Sequence, residues 1–198
     1  MRKHRGFTLI ELLVVVSILG LLMAILIPSL QGARRAGKRT ACAATLRQVG
    51  VALFAYMEEN NHRLPHASAT PSITPVPLDV DEDAIRIADL LRPFAGNESK
   101  AFQCPADTPG RFDRVPPNTG KSWFQSEGSS YQYRTRGSDM GLTIMELVEK
   151  YKRRSGDAVP ENTIWLMRDY NNFHGEGGKP GARRYLYIDG HVGDYENF

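Results

Sequence analysis

Residues 7–27 read FTLIELLVVVSILGLLMAILI, and only Thr8, Glu11 and Ser17 in that run are polar. At about 1.5 Å per residue its 21 residues span about 30 Å, the hydrocarbon thickness of a bilayer. A helix buried in a soluble core is rarely apolar on every face, so length and composition together predict a membrane span. A secretory signal peptide shares the basic start and the apolar middle. Three features argue against it: the run is longer than a signal core, Pro28 to Gly32 (PSLQG) holds no small-x-small cleavage site, and Glu11 sets a charge inside the run.

Glu11 is the informative residue. A carboxylate in a lipid-exposed helix costs on the order of 2.5–3.5 kcal/mol at the bilayer centre and less near the interface. No Lys or Arg stands within the apolar run. Its counter-charge or solvent is therefore the basic leader (Arg2, Lys3, Arg5), interfacial water, or a cation on another molecule. The plain reading is that Glu11 reaches the cytoplasmic surface.

The run Gly6-Phe7-Thr8-Leu9-Ile10-Glu11, after a short basic leader and before a long apolar stretch, resembles the prepilin N-terminus of type IV pilins and type II secretion pseudopilins. The resemblance covers roughly the first 60 residues. It implies that a prepilin peptidase cuts between Gly6 and Phe7, that the new amino group of Phe7 is N-methylated, and that Glu11 pairs with that amine on an adjacent subunit. Physical chemistry is consistent with this. Cleavage removes Arg2, Lys3 and Arg5 and creates a single cation at Phe7. Phe7 and Glu11 are spaced i, i+4, so pairing within one chain is geometrically open as well. In a filament the carboxylate becomes a register pin among packed apolar helices.

The chain then divides into a leader (1–6), a transmembrane or filament-core helix (7–27), an amphipathic continuation (28–60) and a globular α+β domain (61–198). Charge alone does not orient it, because Arg34, Arg35, Lys38 and Arg39 make the far flank basic too. The resemblance places the leader in the cytoplasm and the globular domain outside, anchored by a single pass in the inner (cytoplasmic) membrane. The partners it implies are other pilin or pseudopilin subunits, prepilin peptidase, an inner-membrane assembly platform and the lipid bilayer.

The charge balance, 25 Lys+Arg against 22 Asp+Glu, fits that setting. Both basic clusters flank the apolar run, where lipid headgroups explain them better than nucleic acid does. No arginine- and aromatic-rich face is evident, so no nucleic-acid partner is expected.

After Pro28 the chain turns polar but stays helix-compatible to Glu59. Proline lacks an amide proton, so a kink near Pro28 is expected. Cys42, Leu46, Val49, Leu53 and Tyr56 follow at steps of four, three, four and three, one helical stripe that predicts packing on a globular domain. Unbroken, residues 8–59 would form a rod of about 78 Å.

Asn60 to Pro65 ends the helix. Residues 65–79 are proline-rich and predict an exposed loop. Asp81, Glu82 and Asp83 suit the start of a helix over 81–92, with Ile85, Ala88 and Leu91 inward. Residues 105–128, rich in Pro, Gly and Ser, predict irregular structure. Tyr131 and Tyr133 predict a short strand, 142–153 a small helix, and Thr163–Asp169 and Tyr185–Ile188 two more strands. Asp189-Gly190 predicts a tight hairpin turn into His191–Tyr195. The fold class is α+β, a long N-terminal helix packed on a small antiparallel sheet.

The stretches around Phe102-Gln103-Cys104-Pro105-Ala106-Asp107, Ser130-Tyr131, His174 and Tyr187-Ile188-Asp189-Gly190-His191-Val192 resemble the prepilin-associated domain named for its His, nine-residue gap and Asp-Gly. Here 14 residues separate His174 from Asp189.

Candidate chemistry is sparse. Two cysteines, Cys42 and Cys104, exclude a disulfide-dense scaffold and a four-cysteine zinc site. They allow one bridge, which oxidation outside the cytoplasm permits and which needs Cα atoms about 4.4–6.8 Å apart. Cys42 lies on the packing stripe, which favours the bridge over a catalytic Cys104–His191 pair. Asp169, His174, Asp189 and His191 are of divalent-metal-binding type if the strands bring them together. The plainer reading gives Asp189 to its turn and the histidines to hydrogen bonding, with no cofactor. No G-x-S-x-G elbow, phosphate loop or H-E-x-x-H appears, so catalysis is not expected. The leading reading is a structural filament subunit, a pseudopilin or minor pilin. The alternative is a membrane-anchored extracytoplasmic metal- or ligand-binding protein or enzyme.

Overall fold

The computed structural model describes residues 9–67, 85–110, 120–134, 139–155 and 160–194. Helix α1 runs Leu9–Glu59, 51 residues, with Pro28 inside it and no break in the helical assignment there. The chain divides into two compact units, Met1–Gly37 and Lys38–Phe198.

In the first unit every described residue is exposed. Its helix carries a long apolar stretch, none of it buried. By length and composition the helix can cross a membrane.

The second unit is built on the rest of α1. Cys42, Leu46, Val49 and Leu53 of the stripe are fully buried, joined by Ala52 and Met57. Tyr56 is half-buried and meets Phe94 edge-on at 5.7 Å between ring centroids. The helix stops where Asn61 and His62 turn left-handed, and the His62 N–H donates to the Met57 carbonyl at 2.7 Å.

Four strands form one antiparallel sheet in sequence order: β1 (Tyr131–Tyr133), β2 (Trp165–Asp169), β3 (Tyr185–Tyr187) and β4 (Val192–Gly193). Tyr131 faces Asp169 across the first pair, and β2–β3 carries a register shift between Trp165 and Met167. Asp189-Gly190 makes the β3–β4 turn, with Gly190 at φ 85° and its N–H donating to Tyr187 O at 2.9 Å. The architecture is the expected α+β.

Gly50 sets how closely helix and sheet approach. A Cβ there would sit 2.8 Å from Leu186 Cδ1 of β3. The buried phenols beside this seam are satisfied: Tyr131 donates to Cys42 O (3.3 Å) and Tyr133 to Pro65 O (3.1 Å). Burial pushes both well above the ordinary phenol value.

Smaller elements close the unit, and some differ from expectation. Helix α2 covers Ile87–Leu91, so its inner residues are Ile87, Ala88 and Leu91, while Ile85 precedes the helix and is exposed. Within the stretch expected to be irregular, Trp123–Glu127 form helix α3, started by a capping box between Ser122 and Gln125. Helix α4, Ile144–Ser155, starts on a reciprocal Thr143–Glu146 pair and buries Leu147 and Val148. The expected acidic helix start at 81–83 and most of the 65–79 loop lie outside the described residues.

An arginine–aromatic layer was not evident in the sequence, yet it assembles here. The Arg134 guanidinium lies 4.5 Å from the Tyr151 ring and 5.0 Å from Trp165, and Arg168 lies 4.7 Å from Trp165. Arg134 is buried and tied to Asp139 at 3.1 Å, with Lys150 on the other carboxylate oxygen at 2.7 Å.

Candidate functional site

The sequence-predicted residues fall at three places. The first is the start of α1. Gly6 and Phe7 lie outside the described residues. Glu11 is in the first turn of α1 and exposed, and it already has an interaction within the single chain. Around it Leu9 and Ile10 are 79% and 73% exposed. Ser17 turns its hydroxyl inward along the helix, donating to Leu13 O at 2.6 Å, which masks the polar group from an apolar surrounding. A continuous apolar helix surface of this kind needs lipid or other apolar helices to cover it.

The second place is a buried cluster in the folded unit. Cys42 comes from α1, and Cys104 follows the 3-10 turn Ser99–Phe102; they form a disulfide with Cα atoms 4.8 Å apart. The Cys104 N–H donates to Ser130 Oγ (3.0 Å), whose hydroxyl donates to Asp107 Oδ2 (2.7 Å). Asp107 also accepts the N–H groups of Trp123 (3.1 Å) and Phe124 (2.8 Å), so one carboxylate fixes the cysteine turn and the start of α3 together.

His174 stands against this bridge, its Nε2 3.8 Å from Cys104 Sγ and 3.2 Å from Asp169 Oδ2. Its side chain is 1% exposed and that of Asp169 0%. The His174 N–H donates to Ala182 O (3.2 Å), and Asp169 Oδ2 accepts the Arg184 N–H (2.7 Å). Asp169 Oδ1 is buried with no hydrogen-bond partner among the described residues. Burial raises the Asp169 carboxyl above its usual value, and the hydrogen bond and charge of His174 only partly offset that.

The four residues read as metal-binding candidates fall into two pairs. Asp169 joins His174. Asp189 instead serves the β3–β4 turn: its Oδ1 accepts the His191 N–H at 3.1 Å and lies 2.6 Å from His191 Nδ1. His191 stacks on Tyr187 at 4.3 Å. The hairpin turn holds Asp189 and His191, whereas the 174–182 loop folds His174 down onto β2. Among the described residues, one set of three ligand atoms lies within 4.8 Å of one another, and it is Cys42, Cys104 and His174. The histidine beside Cys104 is thus His174, not His191, and no described cysteine is a free thiol. Sequence reasoning marks Asp107 within a resembling stretch but gives it no role, because its partners lie 16 to 23 residues away. Ser122-Trp123-Phe124-Gln125, a readable capping box, was the signal that would have placed α3.

Residues 1–27 match the family described as the prokaryotic N-terminal methylation motif. Over 73 residues the chain is 38% identical to the type IV wide pilus major component PilA4 of Thermus thermophilus. That alignment covers 37% of this chain, and the chain spans 56% of that protein's length. No solved structure matches. These findings support the type IV pilin family.

Proposed function

We propose, from an N-terminus of the type IV pilin kind, that this chain is a structural subunit of a type IV pilus-like or type II secretion filament, as a pseudopilin or minor pilin. The observation that carries the reading is the exposed apolar surface of α1, with Glu11 in its first turn, inside the segment 1–27 that matches the methylation motif. Such a surface is stable in a bilayer before assembly and among other α1 helices after it.

In this reading prepilin peptidase cuts between Gly6 and Phe7, and Phe7 is N-methylated. The segment inserts with the leader in the cytoplasm and the domain outside, and an inner-membrane platform feeds subunits into the filament. Glu11 exchanges its contact in the single chain for the Phe7 amine of a neighbour. The folded unit is a displayed scaffold, with no catalytic role.

Mass spectrometry of the mature N-terminus tests the processing: methylated Phe7 is expected, and an intact Met1 or a cut after residue 28 rejects it. Glu11→Ala is expected to abolish filament assembly while leaving the chain in the membrane fraction. Filaments formed normally by that variant would remove the pinning role.

A further inference from the structure

The cluster of Cys42, Cys104, His174 and Asp169 contains more ligand chemistry than a structural disulfide uses. Three of its donor atoms lie within 4.8 Å of one another, and Asp169 Oδ2 is 3.2 Å from the imidazole nitrogen that faces the sulfurs. All four side chains are buried. They come from separate parts of the unit, each tied down by its own backbone: the Cys42 carbonyl by Tyr131, the Cys104 N–H by Ser130, the His174 N–H by Ala182 and the Asp169 N–H by Arg184. Supports of this kind surround preorganised metal sites. The disulfide also leaves one oxygen unaccounted for, Asp169 Oδ1, buried and without a hydrogen bond among the described residues. A cation at the cluster would satisfy it.

We propose that the reduced chain binds one Zn²⁺ through Cys42 Sγ, Cys104 Sγ, His174 Nε2 and an Asp169 carboxylate oxygen, and that the disulfide is the oxidised form of the same site. Two sulfurs with one nitrogen and one oxygen suit a tetrahedral zinc ion, and two thiolates favour it over calcium or magnesium. The steps balance. A dithiol reductant gives two electrons and two protons to the disulfide, yielding two cysteine thiols and the reductant's own disulfide. Zn²⁺ then binds as both thiols release their protons to solvent. A disulfide-class oxidant takes two electrons from the thiolate pair and two protons from solvent, its own sulfur–sulfur bond breaking to two thiols, as the Cys42–Cys104 bond re-forms and Zn²⁺ leaves. The zinc form belongs to reducing surroundings and the disulfide to oxidising ones. The inference stands on the folded unit alone and is independent of the filament reading.

The test uses the full chain in detergent, oxidised or reduced with a phosphine under anaerobic conditions, loaded with zinc chloride and desalted. Metal analysis with a thiol count is expected to give about one zinc per reduced chain and none above background in the oxidised chain. Cobalt(II) added to the reduced chain is expected to give thiolate-to-cobalt charge-transfer bands and the strong visible bands of tetrahedral coordination. His174→Ala is expected to weaken zinc binding about tenfold or more. His191→Ala is expected to leave it unchanged. The cobalt spectrum needs no variant, so a misfolded His174→Ala does not blunt the test. Absence of the cobalt–thiolate bands in the reduced wild type overturns the proposal. So does zinc retention that is equal in the oxidised and reduced chains, or unchanged in a folded His174→Ala.

Discussion

Replacing both Cys42 and Cys104 by alanine isolates what the bridge does for the fold. The linked residues are 62 apart in sequence. In the chain-entropy treatment, a loop of that length removes about 14 cal/mol/K from the unfolded ensemble, or about 4 kcal/mol at 25 °C. Both residues are fully buried, so loss of the sulfur atoms adds a small cavity cost of about 1 kcal/mol in all. A loss of 4–5 kcal/mol is a large share of the roughly 5–15 kcal/mol that holds a domain together. For a unit of this size it corresponds to a fall in Tm of about 8–20 °C.

The assay is urea unfolding of the full chain in a fixed detergent, followed by tryptophan fluorescence. The chain's two tryptophans, Trp123 and Trp165, both lie in the folded unit, so the signal does not report the apolar helix. An origin in the unfolded state also predicts a larger denaturant slope for the variant, whose unfolded chain is more expanded. A double variant within about 1 kcal/mol of the oxidised wild type would refute the loop argument.

Three further outcomes follow from the packing. Gly50→Leu forces a side chain into Leu186 and is expected to cost about 1–3 kcal/mol. Gly50→Ala should stay near neutral, because helix propensity offsets the displacement of a flexible side chain; equal urea midpoints for wild type and Gly50→Leu would sink the close-approach reading. Asp139→Asn leaves the buried Arg134 without its carboxylate and is expected to cost about 3 kcal/mol at pH 7. Burial alone would raise the Asp139 carboxyl, but hydrogen bonds from Lys150 and Arg134 and their charges hold it below its usual value. Its stabilisation is therefore complete above the ordinary carboxylate value of about 3.9 and disappears as pH falls through the lower folded value. The gap between wild type and variant should shrink in acid, and a pH-independent gap would contradict this. Asp107→Ala removes the acceptor shared by Trp123, Phe124 and Ser130 and is expected to cost about 2–3 kcal/mol in urea unfolding, with no effect if those bonds are not formed in solution.

What the sequence discloses about this fold depends on how far away each residue's partner lies. The stripe from Cys42 to Leu53 is legible because helical periodicity alone decides which face is buried, and the partner's identity is irrelevant. The Asp189-Gly190 turn is legible because Gly190 must adopt a positive φ wherever the strands happen to lie. The Ser122–Gln125 capping box was equally local, and the surrounding Pro and Gly content hid it. Arg134, Trp165 and Arg168 are different. Arg134, just past β1, reaches Trp165 of β2 only because the two strands pair in one register, Gln132 opposite Arg168 and Tyr133 opposite Met167. A slip of one residue would turn Arg168 to the other face. The buried cluster is the extreme case. Asp169 and His174 can be named as ligand types, but the other two candidates, Asp189 and His191, pair with each other in the next hairpin. The true neighbours arrive from α1 and from the turn after Phe102, brought there by helix packing at Gly50 and by the hold of Ser130 on Cys104. Residue types alone name possible ligands without saying which of them meet. Tertiary packing decides that, setting the Cys42–Cys104 bridge, rather than Asp189 and His191, beside His174 and Asp169.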